Sequence, residues 1–329
     1  MDNEKLVGIA ILSLVLVLLA GCASSEADSP AANQKAVVGI TLTPTSTLLH
    51  IADEKGFFEK NGVDVELKEF SAGKLSFQAM LAGSVDFAAL GDLPAMLAKA
   101  QGNDFYVLTE VGTNHNEAPM IIRDDDSPSM TDYFKTKRKI STALGGGPEF
   151  ALYLFMKEYN ISKENIEIIG QKPEDAPGAF ANGSVDGIVF IEPYVTFAES
   201  TAEFDSKIVK LPYGAYPTKY IMAGNKEFVD RNPETAKRII RALVEAEKFV
   251  KENPEETKEI VARRTKFDPQ IIEKVWADFE YNTGITPQLL QNWQDELKWA
   301  IETGKAEESA ANTDFESALR ADLFTAAGN

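Results

Sequence analysis

Apolar and polar positions alternate in two regular series over residues 36–221. In each series, short apolar stretches typical of β-strands are separated by segments with the period of a helix. Strands that alternate with helices predict mostly parallel sheets with helices on both faces, which is an α/β fold. The strand-like stretches are residues 37–41, 63–70, 86–90 and 105–111 in the first series and 139–142, 165–170, 187–191 and 207–211 in the second.

The two series carry the same four residues before their third strand. Residues 83–86 and residues 183–186 both read Gly-Ser-Val-Asp, and each leads through an apolar strand to an acidic residue near a proline. Because the stretches hold equivalent places in two parallel series, they predict two similar α/β lobes. We interpret Gly-Ser-Val-Asp as the turn into the strand, far from any ligand. The informative part is the acidic end, Asp92 in one series and Glu192 in the other.

Helix follows helix after about residue 226. Four segments there begin with Asn, Asp or Thr followed by a proline, which is typical of a capping side chain before the first helical position. Two extended segments, 118–123 and 216–222, flank the second series, and we expect them to cross between the lobes as a hinge. We interpret the tryptophans of the helical region as core residues. The prolines are Pro233, Pro254, Pro269 and Pro287, and the tryptophans are Trp276, Trp293 and Trp299.

The first residues predict export and a lipid anchor. Residues 6–20 are almost entirely apolar, too short to span a bilayer and of the right length for a signal peptide. Residues 19–22 read Leu-Ala-Gly-Cys, which matches the lipobox, in which the cysteine is lipidated. Small polar residues follow and predict a flexible tether. We therefore predict a signal peptide over residues 1–21 and a lipid-anchored tether over residues 22–35, with the lipid on Cys22.

Composition narrows the possible partners and chemistry. The chain of 329 residues has a formal net charge of −18, which disfavours nucleic acid and anionic lipid headgroups as partners. Cys22 is the only cysteine, so disulfides and a cysteine nucleophile in the globular body are excluded. His50 and His115 are the only histidines, and zinc-protease, serine-hydrolase, phosphate-loop and dinucleotide motifs are missing. These features favour a binding protein over an enzyme, with no cofactor and no metal.

Open parallel sheets bind ligands beyond the carboxyl ends of their strands, where helix N-termini point outward. The backbone N–H groups and the helix dipoles at such ends suit an anionic group even without arginine. Six loops at these ends are expected to face a cleft between the lobes, and none of them contains arginine. They are residues 43–47, 71–75 and 91–94 in the first series and 145–149, 172–176 and 192–194 in the second.

Three stretches resemble the solute-binding proteins of ABC importers for nitrate, aliphatic sulfonates and taurine. They read GFFEKNGVDVEL at residues 56–67, AGSVDFA at 82–88 and VDGIVFIEPY at 185–194, in the order and spacing of that family. The resemblance implies a type II periplasmic-binding-protein fold, with two lobes joined by a two-segment hinge and a helical C-terminal region. It also implies capture of a small solute in the cleft and delivery to an ABC permease and its ATPase. Together with the pattern, it predicts a monomer with lobe 1 over residues 36–118 and 222–329 and lobe 2 over residues 119–221.

The resemblance also implies ligand-binding positions. In the second lobe, residues 146–149 read Gly-Gly-Pro-Glu where the family often has Gly-Ser, which removes a hydroxyl donor and adds Glu149. Carboxylates at Asp92, Glu117, Glu149 and Glu192 around one cleft would favour a zwitterion or an amine-bearing ligand. The implied binding residues are Thr43, Pro44, Thr45, Gly73, Lys74, Gly91, Asp92, Asn114 and His115 in the first lobe and Gly146, Gly147, Glu192 and Tyr194 in the second.

The identity of the ligand stays open at this point. A sulfonate or taurine, a nitrate-like anion and a thiamine-precursor pyrimidine are all compatible with the resemblance. A lipoprotein that senses a ligand without transporting it is a further alternative. Enzymes with this fold, the pyrimidine synthases of thiamine biosynthesis, are intracellular and have a cysteine-rich signature, unlike this chain. If the acidic ends bind the ligand, Asp92→Ala and Glu192→Ala should each weaken binding and leave the fold intact.

Overall fold

The computed structural model describes residues 34–116 and 118–328. The predicted signal peptide, Cys22 and nearly all of the predicted tether lie outside the described residues, as does Glu117. The last two residues assigned to the tether, Gln34 and Lys35, instead begin the first strand, where they pair with Val63 and Asp64. The strands are β1 Gln34–Thr41, β2 Val63–Phe70, β3 Phe87–Gly91, β4 Phe105–Asn114, β5 Met120–Arg123, β6 Arg138–Thr142, β7 Ile166–Gly170, β8 Gly187–Val189, β9 Ser206–Val209, β10 Thr218–Asn225 and β11 Phe279–Glu280.

These strands form two sheets of similar topology. The first sheet has the order β11-β4-β10-β3-β1-β2, and the second has the order β7-β6-β8-β5-β9. In the first, β1 runs parallel to β2 and β3, and β10 runs antiparallel to β3 and β4. In the second, β6 runs parallel to β7 and β8, and β5 runs antiparallel to β8 and β9. The two predicted α/β series therefore form two sheets whose orders match over five strands, with an antiparallel strand, β10 or β5, at the corresponding place. Strand β11 adds a sixth strand to the first sheet and runs antiparallel to β4.

The chain crosses between the sheets twice. It leaves the first sheet after Asn114 and enters the second at Met120, and it returns to the first sheet at Thr218. The predicted boundary of the second lobe at Ile221 therefore falls inside a strand, because residues 218–221 pair with β3 and β4 of the first sheet. Each segment that the sequence assigned to the hinge includes a strand that is paired into one of the sheets.

Helices cover both faces of the sheets. The four helices with a predicted proline start are confirmed, and each begins at its proline. The helices are α1 Thr47–Glu54, α2 Phe57–Lys60, α3 Gly73–Leu81, α4 Asp92–Ala100, α5 Met130–Tyr133, α6 Gly147–Glu158, α7 Ala176–Ala181, α8 Tyr194–Thr201, α9 Lys226–Arg231, α10 Pro233–Glu252, α11 Pro254–Thr265, α12 Pro269–Trp276, α13 Pro287–Glu302 and α14 Ala321–Ala326. Within the described ranges, no helix has both the length and the apolar character needed to cross a bilayer.

Side-chain capping was predicted at all four proline starts and occurs at one. The Asp268 carboxylate accepts a hydrogen bond from the Gln270 N–H at the start of α12. At the starts of α10 and α11, Asn232 and Asn253 instead donate from their side-chain amides to backbone carbonyls four residues earlier. These asparagines close the end of the preceding helix, so the Asn-Pro pair marks a junction between two helices.

The long helices of the C-terminal region complete the core of the first sheet. Helix α10 buries Ile239, Ile240 and Leu243 against α1, at the spacing of a helical apolar stripe. Each such side chain contributes about 2 kcal/mol relative to an exposed one. Helix α13 packs on α4 over the other face and buries Trp293; Trp299 near its end is also buried, as the sequence predicted. Helices α10 and α13 therefore belong structurally to the first sheet.

Candidate ligand-binding site

A cavity of about 400 Å³ lies between the two sheets. Its walls come from the carboxyl ends of β1, β2 and β3 on one side and of β6, β7 and β8 on the other. This is the position at which parallel sheets bind ligands. A larger groove of about 650 Å³ lies between residues 99–102 and 304–317, away from the strand ends. We take the cavity between the sheets as the candidate site because both sheets contribute loops to it.

The cavity brings together part of the predicted set of binding residues. Those that line it are Thr43, Thr45, Gly73, Lys74, Gly91, Gly146 and Gly147. Those that do not are Pro44, Asp92, Asn114, His115, Glu192 and Tyr194. Further lining residues that were not predicted individually are Thr41, Ser71, Ala72, Leu75, Gln78, Ala89, Leu90, Pro94, Ala143, Leu144, Pro148, Gln171, Lys172, Pro173, Phe190, Ile191 and Tyr220.

A cluster of hydroxyl groups forms the wall after β1. The Thr43 and Thr45 hydroxyls are 2.7 Å apart, and the Thr41 hydroxyl lies 3.0 Å from Thr43 and 3.2 Å from Thr45. The Ser46 hydroxyl is 3.2 Å from that of Thr41. The 3₁₀ turn Pro44–Ser46 brings these side chains together. Each hydroxyl can rotate to donate its hydrogen to a neighbour or to an oxygen of a ligand, so the cluster can present donors to an oxyanion.

Two helix N-termini also open onto the cavity. Helix α3 begins at Gly73, where a Cβ atom would lie 3.0 Å from the Cα of Leu90. The helix can approach β3 this closely because the residue is glycine. Helix α6 begins at Gly147 on the opposite side, with Pro148 in its first turn. The first N–H groups of a helix have no intrahelical acceptor and carry the positive end of the helix dipole, so both ends favour a negative charge.

Lys74 reaches across the cavity from the first sheet to the second. Its Nζ atom lies 3.3 Å from the carbonyl oxygen of Leu144 and directly over Gly145, where a Cβ atom would be 2.5 Å from that Nζ. Gly145 also has φ of +69°, so glycine is required there for two reasons. Within the described part of the chain, neither Lys74 nor Lys172 forms a salt bridge. Both lysines line the cavity, so their charges are available to an anion.

The remaining wall is largely apolar. Phe190 and Ile191 come from the end of β8, and Tyr220 comes from β10. Leu75 and Leu144 are 40% and 50% exposed and lie on opposite sides of the cavity, which places them at its solvent-facing edge. A pocket with an apolar wall and a few convergent polar groups is typical of a site for a small organic molecule.

Asp92 does not face the cavity but is buried against the C-terminal region. Its Oδ2 atom accepts hydrogen bonds from the Asn292 side-chain amide, at 2.9 Å, and from the Lys219 backbone N–H, at 3.4 Å. Burial raises the pKa of Asp92 to about 7. Nearby, the Lys219 ammonium lies 3.1 Å from the carboxylate of Glu110. Asp92 therefore joins α4 to β10 and α13 and is a structural residue in this arrangement.

Glu192 and Tyr194 are likewise engaged away from the cavity, at the start of α8. The Glu192 carboxylate accepts hydrogen bonds from both the backbone N–H and the hydroxyl of Thr196, each at 3.0 Å. Burial raises the pKa of Glu192. Tyr194 packs edge-to-face on Phe267 with ring centroids 5.6 Å apart, and burial raises the pKa of Tyr194 to about 12. These contacts organise the start of α8.

The expectation of an acidic cleft is not supported by the described residues. Glu149 accepts a hydrogen bond from the Gly145 N–H, at 2.7 Å, and pairs with Lys305, also at 2.7 Å. With Asp92 and Glu192 engaged elsewhere, no carboxylate among the described residues lines the cavity. The described residues therefore supply no carboxylate that would favour a zwitterion or an amine-bearing ligand. Lys172 brings a positive charge instead.

The two histidines and Asn114 are also away from the cavity. His115 stacks on Tyr213 with ring centroids 5.0 Å apart, and Asn114 accepts a hydrogen bond from the Asn116 N–H at 2.7 Å. His50 is fully buried in α1, where burial lowers its pKa to about 3 and keeps the imidazole neutral. No cluster of three or more His, Cys, Asp or Glu residues suited to a metal ion occurs in residues 34–116 and 118–328.

Comparison with known proteins supports the fold. The chain is 27% identical over 308 residues to the "Putative aliphatic sulfonates-binding protein" of Bacillus subtilis (strain 168), with 90% of each chain covered. The crystal structure of SsuA, the periplasmic aliphatic sulphonate binding protein of Escherichia coli, superposes with a TM-score of 0.74 at 16% identity, covering 89% of this chain and 99% of that one. The desulfurization enzyme DSZB has the same fold, with a TM-score of 0.68 at 12% identity and 90% and 99% coverage.

The family predicted from the sequence is confirmed by a match to a family model. The model is described as the NMT1-like family and matches residues 30–265, which is most of the chain. The structural likenesses confirm the predicted periplasmic-binding-protein fold and cover 89% of the chain, a larger share than the family model matches. The chain therefore belongs to the NMT1-like family.

Proposed function

We propose that the protein is an extracytoplasmic solute-binding protein that captures a small organic anion with an apolar part, most simply an alkanesulfonate. The observation that carries this proposal is the chemistry of the cavity wall. Two lysines without acidic partners, a threonine cluster and two helix N-termini surround a space that no described carboxylate lines. An apolar wall on the same cavity matches an alkyl group. The names of the relatives support the same class of ligand.

The alternative ligands each leave part of the cavity unmatched. Nitrate would satisfy the lysines and hydroxyls but leave the wall around Phe190 and Ile191 without contacts. The ammonium of taurine would face Lys74 and Lys172 without a carboxylate to balance it. A neutral pyrimidine would leave both lysine charges unpaired. An alkanesulfonate has an anionic group for the lysines and hydroxyls and an alkyl group for the apolar wall.

We also propose that the two sheets are the cores of two lobes that close on the ligand, and that the closed form delivers it to an ABC permease and its ATPase. A lipid on Cys22 would hold the body at the extracytoplasmic face of the membrane. A sensing lipoprotein would use the same cavity without the permease. ATP hydrolysis by the reconstituted permease and ATPase, stimulated by the liganded protein, separates transport from sensing.

Binding is tested by thermal shift and calorimetry with methanesulfonate, butanesulfonate, taurine, nitrate and an aminopyrimidine. A ligand that binds only the folded state raises Tm by mass action. We expect butanesulfonate to give the largest rise, because it has both the anionic group and the alkyl chain. No rise with either sulfonate would refute the proposed ligand class, and a larger rise with taurine or the pyrimidine would replace it.

A substitution of Lys74 tests most directly whether its charge contacts the anion. Lys74→Met keeps an unbranched apolar side chain and removes the charge, so the Kd for butanesulfonate should rise at least about tenfold. Lys68→Met is the matched control, because it removes the same charge from an exposed position of β2 that does not line the cavity. Equal affinities of the two variants would show that Lys74 does not contact the anion.

A further inference from the structure

Glu149 links the ligand-binding loop of the second sheet to the C-terminal segment that packs on the first. It stands in the first turn of α6, two residues after Gly147 of the cavity wall. Oε2 accepts a hydrogen bond from the Gly145 N–H at 2.7 Å, and Oε1 lies 2.7 Å from the Lys305 ammonium. The side chain is only 10% exposed. One carboxylate thus joins two parts of the molecule that belong to different sheets.

Lys305 is held in place by the first sheet. Its backbone N–H donates to the carbonyl of Ala300 at the end of α13. Helix α13 is in turn fastened to the first sheet and to the crossing segment, because the Asn292 amide donates to Asp92 and to the carbonyl of Pro217. The Lys305 ammonium also lies 5.5 Å from the centre of the Trp299 ring. Lys305 is therefore attached to the first sheet through α13.

The surrounding contact between α6 and α13 is mixed in character. Phe150 packs on Trp299 with ring centroids 5.3 Å apart, and the Tyr153 hydroxyl donates to Glu302. Lys157 pairs with the same Glu302 at 3.5 Å, and both of these side chains are more than half exposed. Exposed pairs of this kind contribute little. The Glu149–Lys305 pair differs because it is mostly buried and also holds a backbone group of the loop.

We propose that Glu149 is a positioning residue that couples the order of residues 143–147 to the contact between the two sheets. While Lys305 neutralises the carboxylate, Glu149 is held at the Gly145 N–H, and the loop presents Gly146 and Gly147 to the cavity. When the sheets separate, Glu149 loses its cation and the loop loses a fixed acceptor. A ligand that orders the loop must then favour closure, and closure must favour the ligand, because coupling is reciprocal.

The consequence for the ligand rests on the proposed function, whereas the consequence for the loop does not. Hydrogen exchange of the Gly145 amide in the ligand-free protein measures the loop, and the Kd and dissociation rate of butanesulfonate measure the coupling. The variants are Glu149→Ala, which removes both contacts, Glu149→Gln, which keeps an acceptor for Gly145, and Lys305→Met, which removes only the cation. Lys157→Met is the matched control in the same α6–α13 contact.

We expect Glu149→Ala to speed exchange at Gly145 at least about tenfold and to weaken butanesulfonate binding by a similar factor, mainly through faster dissociation. Glu149→Gln should keep slow exchange but bind as weakly as Lys305→Met, and Lys157→Met should match wild type in both measurements. Wild-type affinity in Lys305→Met, or unchanged Gly145 exchange in Glu149→Ala, would overturn the proposal. If the wild type binds no butanesulfonate, the proposed ligand fails and the Gly145 exchange alone decides the role of Glu149.

Discussion

The two Gly-Ser-Val-Asp stretches adopt the same structure in the two sheets. The glycine that opens each stretch has a left-handed φ, +72° in one and +76° in the other. Asp86 donates its backbone N–H to the carbonyl of Val37, at 2.9 Å, and its carboxylate accepts from the Val37 N–H, at 2.8 Å. Asp186 makes the same two bonds, with the same lengths, to Lys139. The repeat therefore joins a helix end to β1 in the first sheet and to the equivalent strand β6 in the second.

The acidic residues that follow the two strands have different roles. Asp92 accepts hydrogen bonds from β10 and from α13, both distant in sequence. Glu192 accepts from Thr196, four residues later in the adjoining helix α8. The C-terminal region also reaches the second sheet, where α12 contacts α8 and Lys274 pairs with Glu199. The two ends differ because the Asp92 carboxylate bonds to a distant C-terminal helix, whereas the Glu192 carboxylate bonds to the start of the helix that follows it.

The two lobes are similar where their third strands start and differ where those strands end. The start of the strand depends on contacts within the sheet, and these are the same in both copies. The end of the strand faces the cavity, the crossing segments and the C-terminal helices, and these differ. A repeated motif is thus a good guide to the fold and a poor guide to the ligand-contacting residues.

The largest expected effect is the pH dependence contributed by Asp92. Its folded pKa of about 7 lies above the unfolded value of roughly 4, so between these pH values the folded state holds a proton that the unfolded state has released. Stability therefore falls as pH rises from about 4 to about 7, by at most ~1.4 kcal/mol per pH unit, and the contribution is constant above that. The groups that face Asp92 are Glu296 on α13, Glu110 on β4 and Lys219 on β10.

Urea unfolding at pH 5 and pH 7 tests this difference between the two ends. Asp92→Asn cannot ionise, so it should gain stability relative to wild type between the two pH values. Glu192→Gln should show the same sign and a smaller change, because Thr196 supplies two hydrogen bonds to the charged form of Glu192. An equal response in both variants would mean that the two ends have the same environment.

The second prediction concerns the stability that the aspartates of the two Gly-Ser-Val-Asp turns contribute. Asp86→Ala and Asp186→Ala each remove a carboxylate that accepts a strand N–H at 2.8 Å, so each should cost about 2 kcal/mol of unfolding free energy. The two costs should agree within about 0.5 kcal/mol, since both aspartates are half-buried and make the same bonds. Unequal costs measured by urea unfolding would show that the two turns are similar only in geometry.

The fold could be predicted from the sequence because its signals are local. The alternating strands, the repeated turn and the proline starts depend on neighbouring residues, and each was found at its expected place. The predicted boundary at Ile221 falls inside strand β10, because a crossing strand has the same apolar pattern whichever sheet it joins. The capping role of Asn253 was wrong because a side-chain amide can also close the helix before it.

The site could be predicted only as far as the loops that form it. The predicted glycines and threonines line the cavity because the backbone places them at the ends of strands, and a strand end can be recognised in the sequence. The direction of a carboxylate depends on partners far away in sequence, such as Asn292 for Asp92 and Lys305 for Glu149. Tyr220 reaches the cavity from the returning strand β10, and no local pattern indicates that.

The Glu192→Ala variant should change stability least, and it tests whether the Glu192 carboxylate caps helix α8 or contacts the ligand. Glu192→Ala removes the acceptor for the Thr196 N–H and hydroxyl, so it should lower the unfolding free energy by about 1 kcal/mol, the usual cost of losing a helix cap. The affinity for butanesulfonate should stay within about twofold of wild type, because Glu192 does not line the cavity. Thr196→Val is the matched control, since it removes only the hydroxyl donor and should cost less. Weaker binding with unchanged stability would place the Glu192 carboxylate in the ligand site and make the two acidic ends equivalent after all.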